Sequence, residues 1–550
     1  MLDLLIRGAN VVDGTGRERF RGDVGVSGDT IAHVGEQAGD ARELVDAGGL
    51  ALAPGFIDIH AHTDAWLLIN PHAESKALQG VTTEVGGNCG LSPGPITEES
   101  RRDADEWLGR AGLAVDWNTL GEFFARLEQR GLGINYACHV GQGQVRGLVV
   151  GYDDRAATDA ERQAMRAQVK QAMAEGAIGL SSGLVYPPGC FAGAAEIADL
   201  CRVAGARGGF YATHMRDEAA GLLESVRETI EIGRLSGAPV HIAHLKACGE
   251  ANWGKVVEAL ALMDQARARG QDVTADHYPY LATNTSLAAS VLPRRQRAGG
   301  TERLLARLRD PRERAAVAAD LAASPPAYEA IVISRVYAPA LCHSEPVARN
   351  PGGVAQPPPA VPAPRCLGRS LAQIAADWQV SPAEAALDLL ERDAARTEVI
   401  RFAMCEEDVE RVMRHPVVMI ASDASALAIS GPLSEGRPHP RAFGTFARVL
   451  GRYVRERNVV SLEEAVRKIT SLPARRLGLR DRGVIEPGRK ADLALFDPQT
   501  VEDRATYENP IQPAAGIVGV WVNGVRTVRD GALTGALPGR VLRGGSKGGK

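Results

Sequence analysis

Two histidines and one cysteine near the start of the chain are residue types that bind transition metals. Residues 55–90 read GFIDIHAHTDAWLLINPHAESKALQGVTTEVGGNCG, where an apolar run ends in His60 and His62 and a glycine-rich segment holds Cys89. Side chains alternate faces along a strand, so Asp58, His60 and His62 share one face, and both imidazoles can converge on one ion. A thiolate beside imidazoles suits Zn²⁺, although a small buried packing residue remains the alternative for Cys89.

Three further side chains of ligand type lie at the ends of later apolar runs: His214 in ATHMRDE, His244 in IAHLKA and Asp423 in ASDAS. A single histidine in an apolar strand is more often structural, and Asp423 could instead cap a helix. Separate structural roles would not explain why all of these residues lie at successive strand ends, whereas one shared site does. The predicted metal ligands are His60, His62, Cys89, His214, His244 and Asp423.

The segments that must position these ligands alternate between strand and helix patterns. Amphipathic stretches such as DAERQAMRAQVKQAMAEG and WGKVVEALALMDQARARG separate short apolar runs, and each ends at glycine. Eight strands alternating with helices are typical of an α/β fold of the (β/α)8 TIM-barrel type, whose active site lies at the carboxyl ends of the strands. The predicted barrel strands are 55–62, 81–88, 134–141, 177–184, 209–215, 239–245, 272–278 and 417–423.

Both ends of the chain show the alternating pattern and turn residues of β-hairpins. We therefore expect residues 1–54 and 481–540 to form one small β-sandwich domain beside a catalytic barrel of residues 55–480. The glycine-rich end, 541–550, is expected to be a disordered tail.

More than 100 residues separate the predicted seventh and eighth barrel strands, which is too long for one helical connection. We expect residues 285–370 to form an insertion and a candidate lid at the barrel mouth. Within it, residues 350–366 read NPGGVAQPPPAVPAPRC, and this proline content predicts an extended surface linker.

Composition excludes several classes of protein. The 550 residues have a formal net charge of −4, with 45% hydrophobic and 24% charged residues and no long block of one sign. This argues against a nucleic-acid or membrane-surface partner. No apolar run approaches the roughly 18 residues that cross a bilayer. The eight cysteines are scattered, as in a cytoplasmic enzyme with reduced thiols, and Cys138, Cys190 and Cys248 are interpreted as packing residues.

The chain resembles the amidohydrolase superfamily and, more narrowly, its N-acyl-D-amino-acid deacylase (D-aminoacylase) branch. The resemblance covers most of the chain outside the insertion. The segments that carry it are GFIDIHAHTD, GVTTEVGGNCGLSPGP, SSGLVYPPG, ATHMRDE, IAHLK, YPY, SDAS and HPRAFGTFARVL.

The resemblance implies how the ligands are shared. Many members of the superfamily bridge two metals with a carboxylated lysine, whereas in this branch a cysteine, here Cys89, has the bridging role. By the same resemblance, Cys89, His214 and His244 hold one tight zinc ion. A second, weaker position is lined by His60, His62 and Asp423.

Zinc polarises an amide carbonyl and lowers the pKa of water toward about 7, and Asp423 could then move the proton from water to the departing amine. A free carboxylate on the substrate needs a cation, for which Arg441 in HPRAFGTF and Lys246 are the candidates. The resemblance places substrate-contacting hydroxyls at Tyr186, Tyr280 and Ser286, although ordinary surface or core hydroxyls remain the alternative.

The expected function is zinc-dependent hydrolysis of N-acyl-D-amino acids, small molecules, to a carboxylate and a D-amino acid. Two alternatives within the superfamily are a cyclic-amide hydrolase of the hydantoinase or dihydropyrimidinase kind and a dipeptidase. A barrel kept as a non-catalytic scaffold is a third, which the full set of ligand types disfavours. The sequence leaves open the acyl group, the amino-acid side chain, the enantiomer, the number of metals and the oligomeric state.

Overall fold

The computed structural model describes residues 1–36, 38–337 and 366–545, together with the short strands Ala348–Arg349 and Ala355–Gln356. Within these residues, parallel strands follow one another in chain order, and the third is interrupted at His139. The barrel strands are Phe56–Asp58, Val81–Gly86, Asn135–Cys138 with Val140–Gly141, Gly179–Gly183, Phe210–His214, Val240–Ile242, Val273–His277 and Val418–Ile420.

The barrel closes between its first and last strands. Ala61 bridges Ala424 in parallel orientation, and the Asp423 amide donates to the His60 carbonyl over 2.9 Å. The predicted (β/α)8 barrel is therefore confirmed. The first strand is shorter than predicted, because regular pairing stops at Asp58 and both His60 and His62 lie in the segment just beyond it.

Some of the helices between the strands begin at side-chain caps, and some end at left-handed glycines. Thr158 accepts from the Glu161 amide at the start of one helix, and Gly176 ends that helix at φ +118°. The helices of the barrel region are Trp66–Ile69, Glu74–Ala77, Glu98–Gly109, Leu120–Arg130, Gln142–Val149, Asp159–Glu175, Ala194–Gly205, Leu222–Ser236, Val256–Ala268, Glu406–Arg414, Arg441–Arg448 with the π-helical turn Val449–Glu456, Leu462–Ile469 and Ser471–Arg476, with 3-10 turns at Gly189–Phe191, Glu250–Asn252 and Pro432–Ser434.

Both ends of the chain build one small β domain, as expected. Its two halves join where Leu493–Phe496 runs antiparallel to Ala51–Pro54. The strands are joined in a single hydrogen-bonded network that branches at the first of them. They are Leu2–Val11, Phe20–Ser27, Thr30–Gly35, Ala41–Asp46, Ala51–Pro54, Leu493–Phe496, Ile517–Val522, Val525–Arg529 and Ala532–Leu533.

The end of the chain packs on the barrel further than predicted. Val541 is buried and bridges Tyr136, and the Gly544 amide donates to the Gly176 carbonyl. The expectation of a disordered tail is therefore wrong for residues 541–545, because their backbone pairs with barrel segments. Residues 546–550 lie outside the described part of the chain.

The insertion between the last two barrel strands has a hydrophobic core of its own, which runs from Leu287 to Val399 and so continues past residue 370. The predicted linker, residues 350–366, lies almost wholly outside the described residues. The described elements of the insertion are the strands Ala282–Ser286, Ile331–Arg335 and Glu398–Phe402, the helices Leu287–Val291, Gly300–Arg309, Pro311–Ala323, Leu371–Trp378 and Pro382–Arg392, and the 3-10 turns Arg294–Arg297 and Tyr328–Ala330.

Among the helices of the described residues, none combines the length and the apolar composition that a membrane span requires.

Candidate metal centre

The thiol of Cys89 lies at the centre of a histidine cluster at the carboxyl ends of the barrel strands. Its Sγ is 3.3 Å from His60 Nε2, 3.8 Å from His214 Nδ1 and 3.7 Å from His244 Nε2. Ligand atoms of His60, Cys89, His244 and Asp423 all lie within 4.8 Å of one another. Side chains from four regions of the chain thus converge on a volume the size of one ion.

The carboxylate of Asp423 closes the other side of this cluster. Its Oδ1 is 3.0 Å from His62 Nε2 and 3.4 Å from His60 Nε2, and its Oδ2 is 2.8 Å from an Arg441 nitrogen. All six predicted ligands therefore lie in one connected group. His62 is the most open of them, with 30% of its side chain exposed.

Three of these residues have left-handed backbones: Cys89 at φ +53°, His244 at φ +34° and Asp423 at φ +50°. A side chain other than glycine is strained in this region and keeps it only where neighbouring contacts impose it. Glycine would adopt this conformation without strain, but a glycine at any of the three positions would remove a predicted metal ligand.

Two carboxylates that sequence reasoning missed, the largely buried Glu218 and the fully buried Asp276, hold the histidine rings. Oε1 of Glu218 is 2.8 Å from Nδ1 of His244, and Asp276 Oδ2 is 3.2 Å from Nδ1 of His60. Each ring is thereby held with its Nε2 directed at the cluster, the arrangement that orients metal-binding histidines. Glu218 could have been suspected, since it stands four residues after His214 in ATHMRDE.

The charges in the site favour an ionised thiol and an ionised carboxyl. Burial alone would raise the pKa of Cys89, but the charges of His60 and His62 outweigh it and hold that pKa well below the usual value. Burial would likewise raise the pKa of Asp423, and the Arg441 guanidinium outweighs it and holds that pKa well below its usual range. Thiolate and carboxylate are the forms that bind metal.

Two buried cations flank an aromatic ring on one wall of the site. The Arg441 guanidinium carbon lies 4.8 Å from the ring centroid of Tyr278, and the Lys246 Nζ lies 5.6 Å from it. Among the described residues, the Tyr278 hydroxyl and the Arg441 Nε have no hydrogen-bond partner although both are buried. Buried donors of this kind require a hydrogen-bond acceptor. Because the wall also holds two cations, an anionic group such as a carboxylate is a suitable acceptor.

Of the three hydroxyls expected to contact a substrate, two line the cleft. Tyr186 packs its ring 5.1 Å from that of His214 and shares a hydrogen bond with Thr285. Ser286 is in the cleft wall, but its hydroxyl accepts from the Ala289 amide and caps a helix.

The expectation for Tyr280 is wrong. Tyr278, two residues earlier, lies in the described cleft wall, whereas the Tyr280 ring packs outside it against His439 and Arg448. Alternation along the seventh strand, Val273–His277, does not separate the two tyrosines, because both would continue the phase of Asp276 and both lie beyond the last paired residue.

One cleft of about 1460 Å³ is lined by five of the predicted ligands, which are His62, Cys89, His214, His244 and Asp423. The insertion supplies part of its wall through residues such as Asn284, Arg335 and Glu398, while Trp66 and Trp107 line it from the barrel side. The volume exceeds that of an ordinary small-molecule pocket, about 300–1000 Å³. A small substrate would therefore leave room beside it.

The donor set fits zinc. A thiol, imidazole nitrogens and a carboxylate within reach of one point are the ligands this ion takes, and the second ring nitrogens already have carboxylate partners. A metal limited to oxygen ligands, such as Mg²⁺, would not suit the thiol and imidazoles.

The family model described as amidohydrolase family matches residues 43–528. D-aminoacylase of Alcaligenes xylosoxydans xylosoxydans is 38% identical over 541 residues, which cover 98% of this chain and 97% of that protein. A solved N-acyl-D-glutamate deacylase from Bordetella bronchiseptica, complexed with zinc and a phosphonate inhibitor, is 36% identical with a TM-score of 0.78 and covers 98% of this chain and 99% of its own. A D-aminoacylase structure concerned with a binuclear metal centre is 36% identical with a TM-score of 0.80, and the match covers 99% of this chain and 100% of that structure's chain. With the metal-ligand cluster, these matches over nearly the whole length place the chain in the amidohydrolase family.

Proposed function

We propose that this protein is a zinc-dependent amidohydrolase that cleaves the amide bond of N-acyl-D-amino acids into a carboxylate and a free D-amino acid. One observation carries the proposal: the cluster around Cys89 and the buried cations Lys246 and Arg441 face the same cleft. The substrate class comes from the relatives, a D-aminoacylase and an N-acyl-D-glutamate deacylase of similar length.

The proposed tight metal position uses Cys89, His214 and His244, and a weaker position uses His60, His62 and Asp423. Zinc held there would supply Lewis-acid chemistry, polarising the amide carbonyl and making water more acidic. The support is the donor chemistry of the cluster and the zinc in the solved deacylase.

We assign proton transfer to Asp423. Arg441 and the neighbouring histidines hold its pKa well below the usual range despite burial, so the carboxyl is ionised at neutral pH and can accept a proton from water and deliver it to the departing amine nitrogen. Its oxygens lie beside the proposed metal position, as this task requires.

The wall formed by Lys246, Tyr278 and Arg441 is the proposed site for the substrate carboxylate. Arg441 and the Tyr278 hydroxyl have unsatisfied buried donors, and Lys246 is already bound to Glu218 over 2.6 Å. We therefore expect Arg441 and Tyr278 to contact the carboxylate and Lys246 to add charge behind them. We expect Tyr186, which lines the cleft with its ring 5.1 Å from that of His214, to contact the acyl group.

The test is a substrate screen on protein whose zinc is measured by elemental analysis. N-acetyl-D-amino acids with apolar and acidic side chains are compared with their L enantiomers, with hydantoins and with dipeptides. We expect hydrolysis of the D compounds only. Turnover of hydantoins or dipeptides without that of N-acyl-D-amino acids would instead assign one of the other amidohydrolase activities.

A pair of cysteine variants makes the screen specific to the site. Cys89→Ala is expected to lose both the bound zinc and the activity. Cys201→Ala, which alters a fully buried cysteine on the helix Ala194–Gly205, is expected to keep both. Normal zinc content in the Cys89 variant would contradict the proposed centre.

The proposed compartment is the cytoplasm, supported by the scattered cysteines of the sequence.

A further inference from the structure

A lysine with no exposed surface lies directly beneath Asp423. The Lys76 Nζ is 2.6 Å from Asp58 Oδ2, 2.5 Å from Ser422 Oγ and 2.8 Å from the Ala424 carbonyl. An ammonium group has three donors, and these contacts use all three. Lys76 therefore binds the residue on each side of Asp423, one by its side chain and the other by its backbone.

The partner carboxylate, Asp58, reinforces the same contacts. Its Oδ1 accepts from the Ser422 amide over 2.9 Å, and its Oδ2 accepts from the Ser422 hydroxyl over 2.5 Å. The Ser422 hydroxyl in turn accepts from the Ala424 amide over 3.1 Å. The backbone around Asp423 is thus tied to two charged side chains, Asp58 on the first barrel strand and Lys76 on the helix Glu74–Ala77.

This arrangement explains how Asp423 keeps a left-handed backbone at φ +50°. That conformation is unfavourable for a residue other than glycine and persists only where the surroundings impose it. Lys76 and Asp58 hold Ser422 and Ala424, so the residue between them has little freedom to relax. A second contact, from the Asp423 amide to the His60 carbonyl, ties the same turn to a proposed ligand.

We propose that the buried pair Lys76–Asp58 is a positioning device for the catalytic carboxylate. By fixing Ser422 and Ala424, the pair holds Asp423 in the conformation that directs its carboxylate at the cluster. Neither Lys76 nor Asp58 lines the described cleft, so they act on the reaction through Asp423 and not by touching substrate. The inference rests on the proposed function, which makes Asp423 the proton carrier.

The test uses the double variant Lys76→Met with Asp58→Asn, which removes the ion pair without leaving one buried charge unpaired. We expect kcat for an N-acyl-D-amino acid to fall about 100-fold, since a displacement of about 1 Å can cost this much. KM and the content of tightly bound zinc are expected to stay unchanged. The crystal structure of the variant is expected to show Asp423 out of the left-handed region.

The control is a second buried ion pair far from the site. Arg482 and Asp492 are 4% and 3% exposed and lie by Asn135, at the opposite end of the barrel strands. The double variant Arg482→Met with Asp492→Asn is expected to lose a similar amount of thermal stability but to keep kcat. Equal loss of kcat in both double variants would show a general effect of destabilisation and overturn the proposal.

If the Lys76 double variant fails to fold, Ser422→Ala provides the test, because it removes one hydroxyl and leaves the ion pair in place. We expect kcat about tenfold lower with KM unchanged. An unchanged kcat together with an unmoved Asp423 in either variant would overturn the proposal. If the wild-type protein were inactive on every N-acyl-D-amino acid, the proposed function would be refuted. The position of Asp423 in the variant structures would still decide whether Lys76 and Asp58 position it.

Discussion

The carboxylate of Glu218 holds His244 from behind, with Oε1 at 2.8 Å from the ring Nδ1. The same oxygen accepts from Lys246 over 2.6 Å, and the other oxygen lies 3.7 Å from His214 Nε2. One carboxylate therefore links two proposed zinc ligands to a cation of the substrate wall. Such partners orient the ligating nitrogen and raise its basicity.

The change Glu218→Gln is therefore expected to weaken zinc binding by about 10–100-fold. The measurement is competition with a chromophoric chelator at fixed pH. Glu224→Gln, on the exposed surface of the helix Leu222–Ser236, is the control and is expected to bind zinc as the wild type does. An unchanged zinc affinity in the Glu218 variant would remove this carboxylate from the centre.

Asp423→Asn should abolish proton transfer while keeping the shape of the side chain. We expect kcat to fall by about 100- to 10,000-fold, the range of a general acid–base group. The tight zinc is expected to remain, because its proposed ligands Cys89, His214 and His244 are untouched. Steady-state kinetics with elemental analysis of the same sample checks both, and near-normal turnover would exclude Asp423 from the chemistry.

Arg441→Ala is expected to affect substrate binding and the ionisation of Asp423 together. KM should rise for N-acyl amino acids and change much less for an amide that lacks the carboxylate. Without the guanidinium, the pKa of Asp423 should rise, and its ionised form should be lost at a higher pH on acidification. The acid limb of the kcat profile is therefore expected to move to higher pH, and an unmoved limb would contradict the pairing.

Variants of Tyr278 and Tyr280 test which of these two tyrosines contacts the substrate. Tyr278→Phe removes a buried hydroxyl that faces the cleft without a partner among the described residues, so KM for carboxylate substrates should rise. Tyr280→Phe is expected to leave KM unchanged, because that ring packs on His439 and Arg448. The reverse result would restore the assignment made from the sequence.

A buried carboxyl in the barrel should make stability depend on pH. Burial raises the pKa of Glu84 to about 7, against a usual value near 4.5. The folded state therefore binds more protons than the unfolded state between these pH values, so stability is expected to fall as pH rises from about 4.5 to 7. The melting temperature of Glu84→Gln should be less sensitive to pH in this window, and an identical pH dependence in both proteins would contradict the raised pKa.

Much of the fold and the proposed ligand set could be predicted from the residues alone. Strand ends of a parallel barrel meet at one face, so His214, His244 and Asp423, each at the end of an apolar run, had to lie near one another if the barrel was correct. The periodicity of apolar residues and the two-residue spacing of His60 and His62 are local properties, so they can be read directly from the sequence.

Contacts between distant segments could not be predicted in this way. Lys76 is 346 residues from Ser422, and Glu218 lies on a loop, where its closeness in sequence to His214 is a hint but no period shows which way its side chain points. The choice of Tyr278 over Tyr280 likewise depended on where the strand ends, because alternation is lost beyond its last paired residue.

The sequence by itself determined the barrel, the small β domain from both ends and the types of ligand at the strand ends. Only the tertiary structure decided which carboxylates hold the histidines, which tyrosine faces the cleft and what keeps Asp423 in its left-handed conformation. The physical reason is that hydrophobic periodicity sets each element locally, whereas hydrogen bonds between buried polar groups depend on distances that exist only once the strands have closed into a barrel.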